Sequence, residues 1–144
     1  MKKLTILSLP VIFVAILIFA TSLDANAKKA RKKDLIGTWQ ICNEDSTVAT
    51  NVGKKDGEIR YKLFSDESFM VSSINIRDKE ILNSFWGSYT LKNNVYTEFI
   101  EYVHSSWRNI LGVKNSFKIH IKGDLLFIKG INNPYSEIWK KVNN

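Results

Sequence analysis

Apolar and polar positions alternate with a period of two through most of the chain after residue 34, in short runs broken by Gly, Asn, Asp and Ser. Glu58–Phe64 (EIRYKLF) sets Ile59, Tyr61 and Leu63 on one face and Glu58, Arg60 and Lys62 on the other. That is the period of a half-buried strand. Ser65–Ser68 turns the chain into a second run, Phe69–Ile76, and Phe85–Leu91, a Lys92–Asn94 turn and Val95–Val103 follow. Phe117, Ile119 and Ile121 then alternate with Lys118, His120 and Lys122 before a tight Gly123-Asp124 hairpin into Leu125–Lys129. With Asp34–Cys42 at the start and Glu137–Val142 at the end, the pattern predicts eight strands with short connections. Two stretches stand outside the rhythm. Asn43–Gly57 is a long polar loop suited to a barrel mouth, and His104–Gly112 fits one short helical turn.

Eight antiparallel strands of this length close into a barrel or split into a sandwich. Closure abolishes exposed edges, and eight strands enclose a space just wide enough for side chains or one small ligand. The expected fold is therefore all-β, an antiparallel up-and-down eight-stranded barrel.

The N-terminus has a different pattern. Lys2 and Lys3 precede an uncharged run from Leu4 to Leu23, and Ala25-Asn26-Ala27 supplies small residues at the cleavage positions. Residues 1–27 thus read as a secretory signal peptide, giving an exported chain that begins at Lys28 and is periplasmic or secreted. An uncleaved anchor is the rival reading, because the run approaches the roughly 20 residues that span a bilayer. The cations after Ala27 also favour a cytoplasmic side.

Charge divides the remainder into a basic tail, 28–33, and a domain, 34–144. The whole chain carries +7. Lys28, Lys29, Arg31, Lys32 and Lys33 hold most of that surplus, whereas from Asp34 onward 14 basic residues face 13 acidic ones. A nucleic-acid reader needs its cations on a folded face among aromatic residues. Here they form a terminal tag, read as a solvated arm. No nucleic-acid partner is expected, and contact of the tail with an anionic membrane surface is the alternative role. Cys42 is the single cysteine, so no internal disulfide can form, and the thiol is expected to be a small buried hydrophobe. The lone cysteine and the absence of any Asn-x-Ser/Thr acceptor suit a bacterial envelope protein.

Catalytic chemistry finds little support. His104 stands beside Ser105 and Ser106, but no third group is placed by sequence, and His120 falls on the polar face of its strand. One Cys and two distant His give no zinc spacing, and no phosphate-binding glycine loop occurs. No metal, cofactor or enzymatic activity is expected. The most suggestive element is Tyr96-x-Glu98, since a carboxylate sharing a face with Tyr96, Ile100 and Tyr102 is costly to bury without a partner. That partner is a ligand or a neighbouring Arg or Lys, unless Glu98 faces solvent. With Tyr61, Phe69 and Phe117 on the faces judged inward, the expected ligand-binding set is Tyr61, Phe69, Tyr96, Glu98, Tyr102 and Phe117.

Four local patterns carry a resemblance. Gly37-Thr38-Trp39 resembles the Gly-x-Trp signature of lipocalins, and Glu137-Ile138-Trp139-Lys140-Lys141-Val142 is similar to the closing strand of small lipocalin-like (calycin) domains of exported bacterial proteins of unknown function. Gly87-Ser88-Tyr89 and Tyr96-Thr97-Glu98 are similar to strands from the middle of such barrels. The resemblance runs from Leu35 to Val142. It implies a calycin barrel in which Trp39 packs at the closed end beneath a basic residue of the last strand, Lys140 or Lys141, with Gly37 and Trp139 as structural companions. Larger lipocalins place a helix between the last two strands, and residues 123–137 leave no room for one. The expected function is non-catalytic binding of a small, largely apolar or amphiphilic molecule. The alternative is an envelope interaction module whose barrel is filled by its own aromatic side chains.

Overall fold

The computed structural model describes residues 29–52 and 57–142. The leader, its cleavage site and Lys28 lie outside the described residues. A short helix α1 (Lys32–Leu35) leads into β1 (Gly37–Ile41), β2 (Glu58–Phe64), β3 (Ser68–Asn75), β4 (Glu80–Lys92) and β5 (Val95–Val103). A 3-10 helix (Ser105–Ile110) precedes β6 (Lys114–Lys122), β7 (Leu125–Ile131) and β8 (Ser136–Lys141). Each strand pairs antiparallel with the next and β8 returns to β1, closing the barrel. The eight-strand expectation and the helical turn after β5 are both realised. β7 passes to β8 through a short loop with no helix.

An up-and-down path sends alternate connections to opposite ends. The turns after β2, β4 and β6 share one end with α1, and the links after β1, β3, β5 and β7 share the other. The first end is sealed. Leu35, the last residue of α1, is buried, and the Trp39 indole Nε1 donates to Leu35 O at 2.7 Å. The Lys141 ammonium sits 5.2 Å from the centre of the Trp39 ring, so Lys141 is the basic partner. Lys140 points outward and pairs with Asp124 at 3.6 Å. Gly37 makes this closure possible: its φ of +124° is unfavourable for L side chains, and a Cβ there would stand 3.3 Å from Lys141 Cε.

The basic run is partly built into the domain instead of forming a free arm. Lys32 and Lys33 open α1, Lys32 Nζ donates to Asp66 O at 2.9 Å, and Ala30 N donates to Asn94 Oδ1 at 2.8 Å.

Two bulges re-aim side chains at the other end. In β3/β4 the register shifts between Ser73 and Ile74, and in β4/β5 between Trp86 and Gly87. At the second, Trp86 pairs with Tyr102 but Gly87 with Ile100, so Glu101 is the extra residue. An extra residue reverses the alternation beyond it. Gly87 is required there, because a Cβ would fall 1.8 Å from Phe99 O.

Candidate functional site

Two expected inward residues are outward. Tyr102 lies past the Glu101 bulge, is 60% exposed, and stacks on Trp86 outside the barrel. Its place inside is taken by Val103, which packs against the core. Tyr61 is outward because β2 presents its other face. Phe64 pairs with Phe69 across the β2–β3 turn, and both are buried in the core. Period two then carries Lys62 and Arg60 inward with Phe64, leaving Tyr61 and the exposed Leu63 outside.

Lys62 and Glu98 therefore meet inside the barrel, 2% and 3% exposed, as a hydrogen-bonded ion pair. The Tyr96 hydroxyl donates to the same carboxylate oxygen at 2.8 Å. The ammonium is also ringed by Phe64, Phe69, Tyr96, Phe117 and Trp139, with centroids 5.2–5.9 Å away. Removing two ions from water costs several kcal/mol each. Direct pairing, the tyrosine bond and cation–π contact of up to about 2 kcal/mol in a dry site offset that cost. Burial and the Glu98 charge hold the Tyr96 phenol protonated well above its ordinary pKa. Burial, with Asp66 nearby, pushes Tyr89 up to about 12.

Above this pair the barrel is open. A cavity of about 260 Å³ rises from Lys62, Glu98, Phe117 and Trp139 to a mouth bordered by Trp107, Asn109, Ile110 and Tyr135. Val71, Phe85 and Ile100 form apolar wall, while Arg60, Asn115 and Glu137 bring polar groups to the same space. Arg60 and Glu137 are held in place. Arg60 Nε donates to Ser73 Oγ at 2.9 Å, its guanidinium lies 3.8 Å from Glu58, and it sits 5.7 Å over the Trp107 ring. The Trp139 indole donates to Glu137 at 3.0 Å.

Of the six expected ligand residues, Glu98 and Phe117 line the cavity, Phe69 and Tyr96 build the floor around Lys62, and Tyr61 and Tyr102 belong to the outer surface. Trp139, expected as structural, also lines the cavity. Sequence reasoning missed Arg60, Lys62, Trp107, Asn115 and Glu137. Glu137 was detectable, since it shares a strand face with Trp139. Lys62 was detectable only as the cation that a buried Glu98 requires.

His104 has a structural job: its ring Nδ1 lies 2.8 Å from Ser106 Oγ and accepts from Ser106 N at 3.3 Å, capping the 3-10 helix. Cys42 is half-buried, next to an isolated bridge with Val48, and burial raises its thiol pKa.

A closed, eight-stranded, up-and-down antiparallel barrel with a Gly-x-Trp first strand capped by a last-strand lysine is a lipocalin-like fold. Within that class the chain belongs to the family described as a domain of unknown function, DUF4488, whose model matches residues 34–144. Two solved structures show the same fold. A lipocalin-like protein from Bacteroides uniformis is 20% identical with a TM-score of 0.50, over 76% of this chain and 99% of that one. An uncharacterized protein from Bacteroides eggerthii is 16% identical with a TM-score of 0.52, over 76% and 100%. Among curated proteins no match was found.

Proposed function

We propose that this protein is an exported, non-catalytic carrier or sensor that holds one small amphiphilic molecule in the upper half of its barrel. The observation that carries the reading is the cavity of about 260 Å³ with apolar walls and a buried charged pair at its base. Ligand sites are typically clefts of roughly 300–1,000 Å³ with a few placed polar groups; this cavity falls just below that range, so the guest is small. Its apolar part lies against Val71, Phe85, Ile100 and Ile110, and its polar part meets Arg60, Asn115 and Glu137 near the mouth or Lys62 and Glu98 below.

The test is native mass spectrometry of exported protein purified from its own host, with a small amphiphilic fluorophore such as anilinonaphthalene sulfonate as an independent probe. A discrete added mass is expected, together with probe fluorescence that Ile100→Phe abolishes by filling the cavity. Such overpacking costs only about 1–3 kcal/mol, so the variant should remain folded. No added mass, with probe binding absent or unchanged in folded Ile100→Phe, overturns the reading.

A further inference from the structure

On the outside of the barrel four large apolar side chains stand in direct register. Leu63 faces Met70 across β2 and β3, Met70 faces Trp86 across β3 and β4, and Trp86 faces Tyr102 across β4 and β5. They are 38%, 40%, 47% and 60% exposed, and the Trp86 and Tyr102 rings stack with centroids 5.2 Å apart. Serines flank the row on the same faces of β3 and β4: Ser68, Ser72, Ser84 and Ser88. An outer barrel face should alternate polar residues with the inner apolar ones. This face breaks the rule in one continuous line, and Tyr102 joins it only because the Glu101 bulge turns its ring outward.

Cations adjoin one end of the row. Lys29, Arg31, Lys32 and Lys33 surround α1; Arg31 is matched by Asp34 at 2.9 Å, leaving the lysines as the surplus. Lys32 is bonded to Asp66 O in the turn that joins the Leu63 strand to the Met70 strand. Lys32 thus adjoins the Leu63–Met70 end of the row, while Lys29 and Lys33 border the hollow formed with Trp39, Ile121 and Lys141 at the same end of the barrel, and the Ser88 hydroxyl beside the row donates to the Glu101 carboxylate.

We infer that this surface docks the protein on an anionic lipid bilayer. Trp and Tyr combine an apolar body with a polar tip and settle at the boundary between headgroups and hydrocarbon. Each lysine near an anionic leaflet adds about 1 kcal/mol of attraction. A second copy of the chain fits less well. At roughly 200 Å² per large side chain the row exposes about 400 Å², and two rows face to face bury about 800 Å² against the 1,200–2,000 Å² of a stable interface. A bilayer needs no shaped counterpart and answers both the apolar row and the cations. The docking is separate from the cavity and survives any outcome of the ligand test.

The test is co-flotation of the exported protein with phosphatidylcholine vesicles, with and without phosphatidylglycerol, at low and high salt. Binding is expected only to the anionic vesicles, with a blue shift in tryptophan emission and release by salt. Trp86→Ser/Tyr102→Ser should weaken binding at least about tenfold, consistent with the loss of two interfacial aromatics. Lys32→Glu/Lys33→Glu should weaken it about as much and remove the salt dependence. Circular dichroism of both variants confirms the fold. Absence of binding at low salt, or equal binding by folded Trp86→Ser/Tyr102→Ser, overturns the inference. So does a dimer in solution that the aromatic substitutions dissociate, which would give the row to a second copy.

Discussion

Below the Lys62–Glu98 pair, Trp39, Phe64, Phe69, Tyr89 and Tyr96 are buried, and the rings of Phe64, Phe69, Tyr89 and Tyr96 form a chain of edge-on and tilted contacts 5.4–6.3 Å apart. Above it, Arg60, Asn115, Glu137 and Trp107 border open space. The strands are the same in both halves, so the difference lies in the ends. The lower end is stopped by α1, Leu35 and the Lys141–Trp39 contact, whereas at the upper end the short 3-10 helix brings Trp107 to the rim of the cavity. Stability should therefore concentrate in the lower half and adaptability in the upper. Substitutions on either side of the ion pair should give opposite signatures.

The largest effect belongs to Trp39→Ala. Truncating a buried aromatic costs about 3–5 kcal/mol, and here the Leu35 hydrogen bond and the Lys141 contact are lost too, so the upper part of that range is expected. Denaturant melts measure it. A loss below about 1 kcal/mol would mean that the lower half is not the stabilising half.

Next comes the boundary itself. Lys62→Met leaves Glu98 buried without its cation, which typically costs about 3–5 kcal/mol, and Glu98→Gln is likewise no silent change. The double variant Lys62→Met/Glu98→Leu removes both charges. It should recover a large share of the loss, giving a coupling energy above about 1 kcal/mol in a double-mutant cycle. Additive losses would show that the pair is not energetically coupled.

This boundary also marks where the sequence stopped being readable. The strands and their order were legible because alternation carries them, and the closing contact of Trp39 with a last-strand lysine was legible as what the resemblance to lipocalins implies. Which face of β2 points inward was not. Both faces of EIRYKLF hold apolar residues, and the choice is made by Phe64 packing with partners on other strands and by Glu98, 36 residues away. Tyr102 was misplaced for a similar reason: a single extra residue at Glu101 changes the phase, and nothing local in YTEFIEYV announces it. Trp107 lies in a stretch without strand period, so its position over the cavity follows only from the closed fold.

A smaller effect comes from alkali. Tyr89, pushed to about 12, and Tyr96, held well above its ordinary value by burial and the Glu98 charge, favour the protonated phenol in the folded state. A raised folded-state pKa gives stability that is complete below the unfolded value near 10 and is lost as pH rises toward the folded one. Melting midpoints should be flat from neutral pH to about 10 and then fall, by at most about 1.4 kcal/mol per pH unit per tyrosine. Tyr89→Phe should flatten part of that slope. An unchanged slope in Tyr89→Phe and Tyr96→Phe would assign the alkaline loss elsewhere.

The smallest effect on stability, and the sharpest on the upper half, is expected from Trp107→Ala. Trp107 sits on the 3-10 helix with a backbone outside the helical range, φ −115° and ψ 25°, so the helix is kinked at this residue. Its ring touches Phe85 at 5.2 Å and lies under the Arg60 guanidinium at 5.7 Å, which places it across the mouth from β4 toward β2. It contributes wall and latch but little core, since the ring is only half-buried and every neighbour keeps other partners. Removing it should cost less than about 1 kcal/mol of stability, the scale of an exposed cation–π contact. Stopped-flow dissociation of the anilinonaphthalene sulfonate probe should nevertheless quicken several-fold, because the mouth loses its cover. If Trp107→Ala destabilised the fold as much as Trp39→Ala does, the two ends would share one core and the contrast between them would fail.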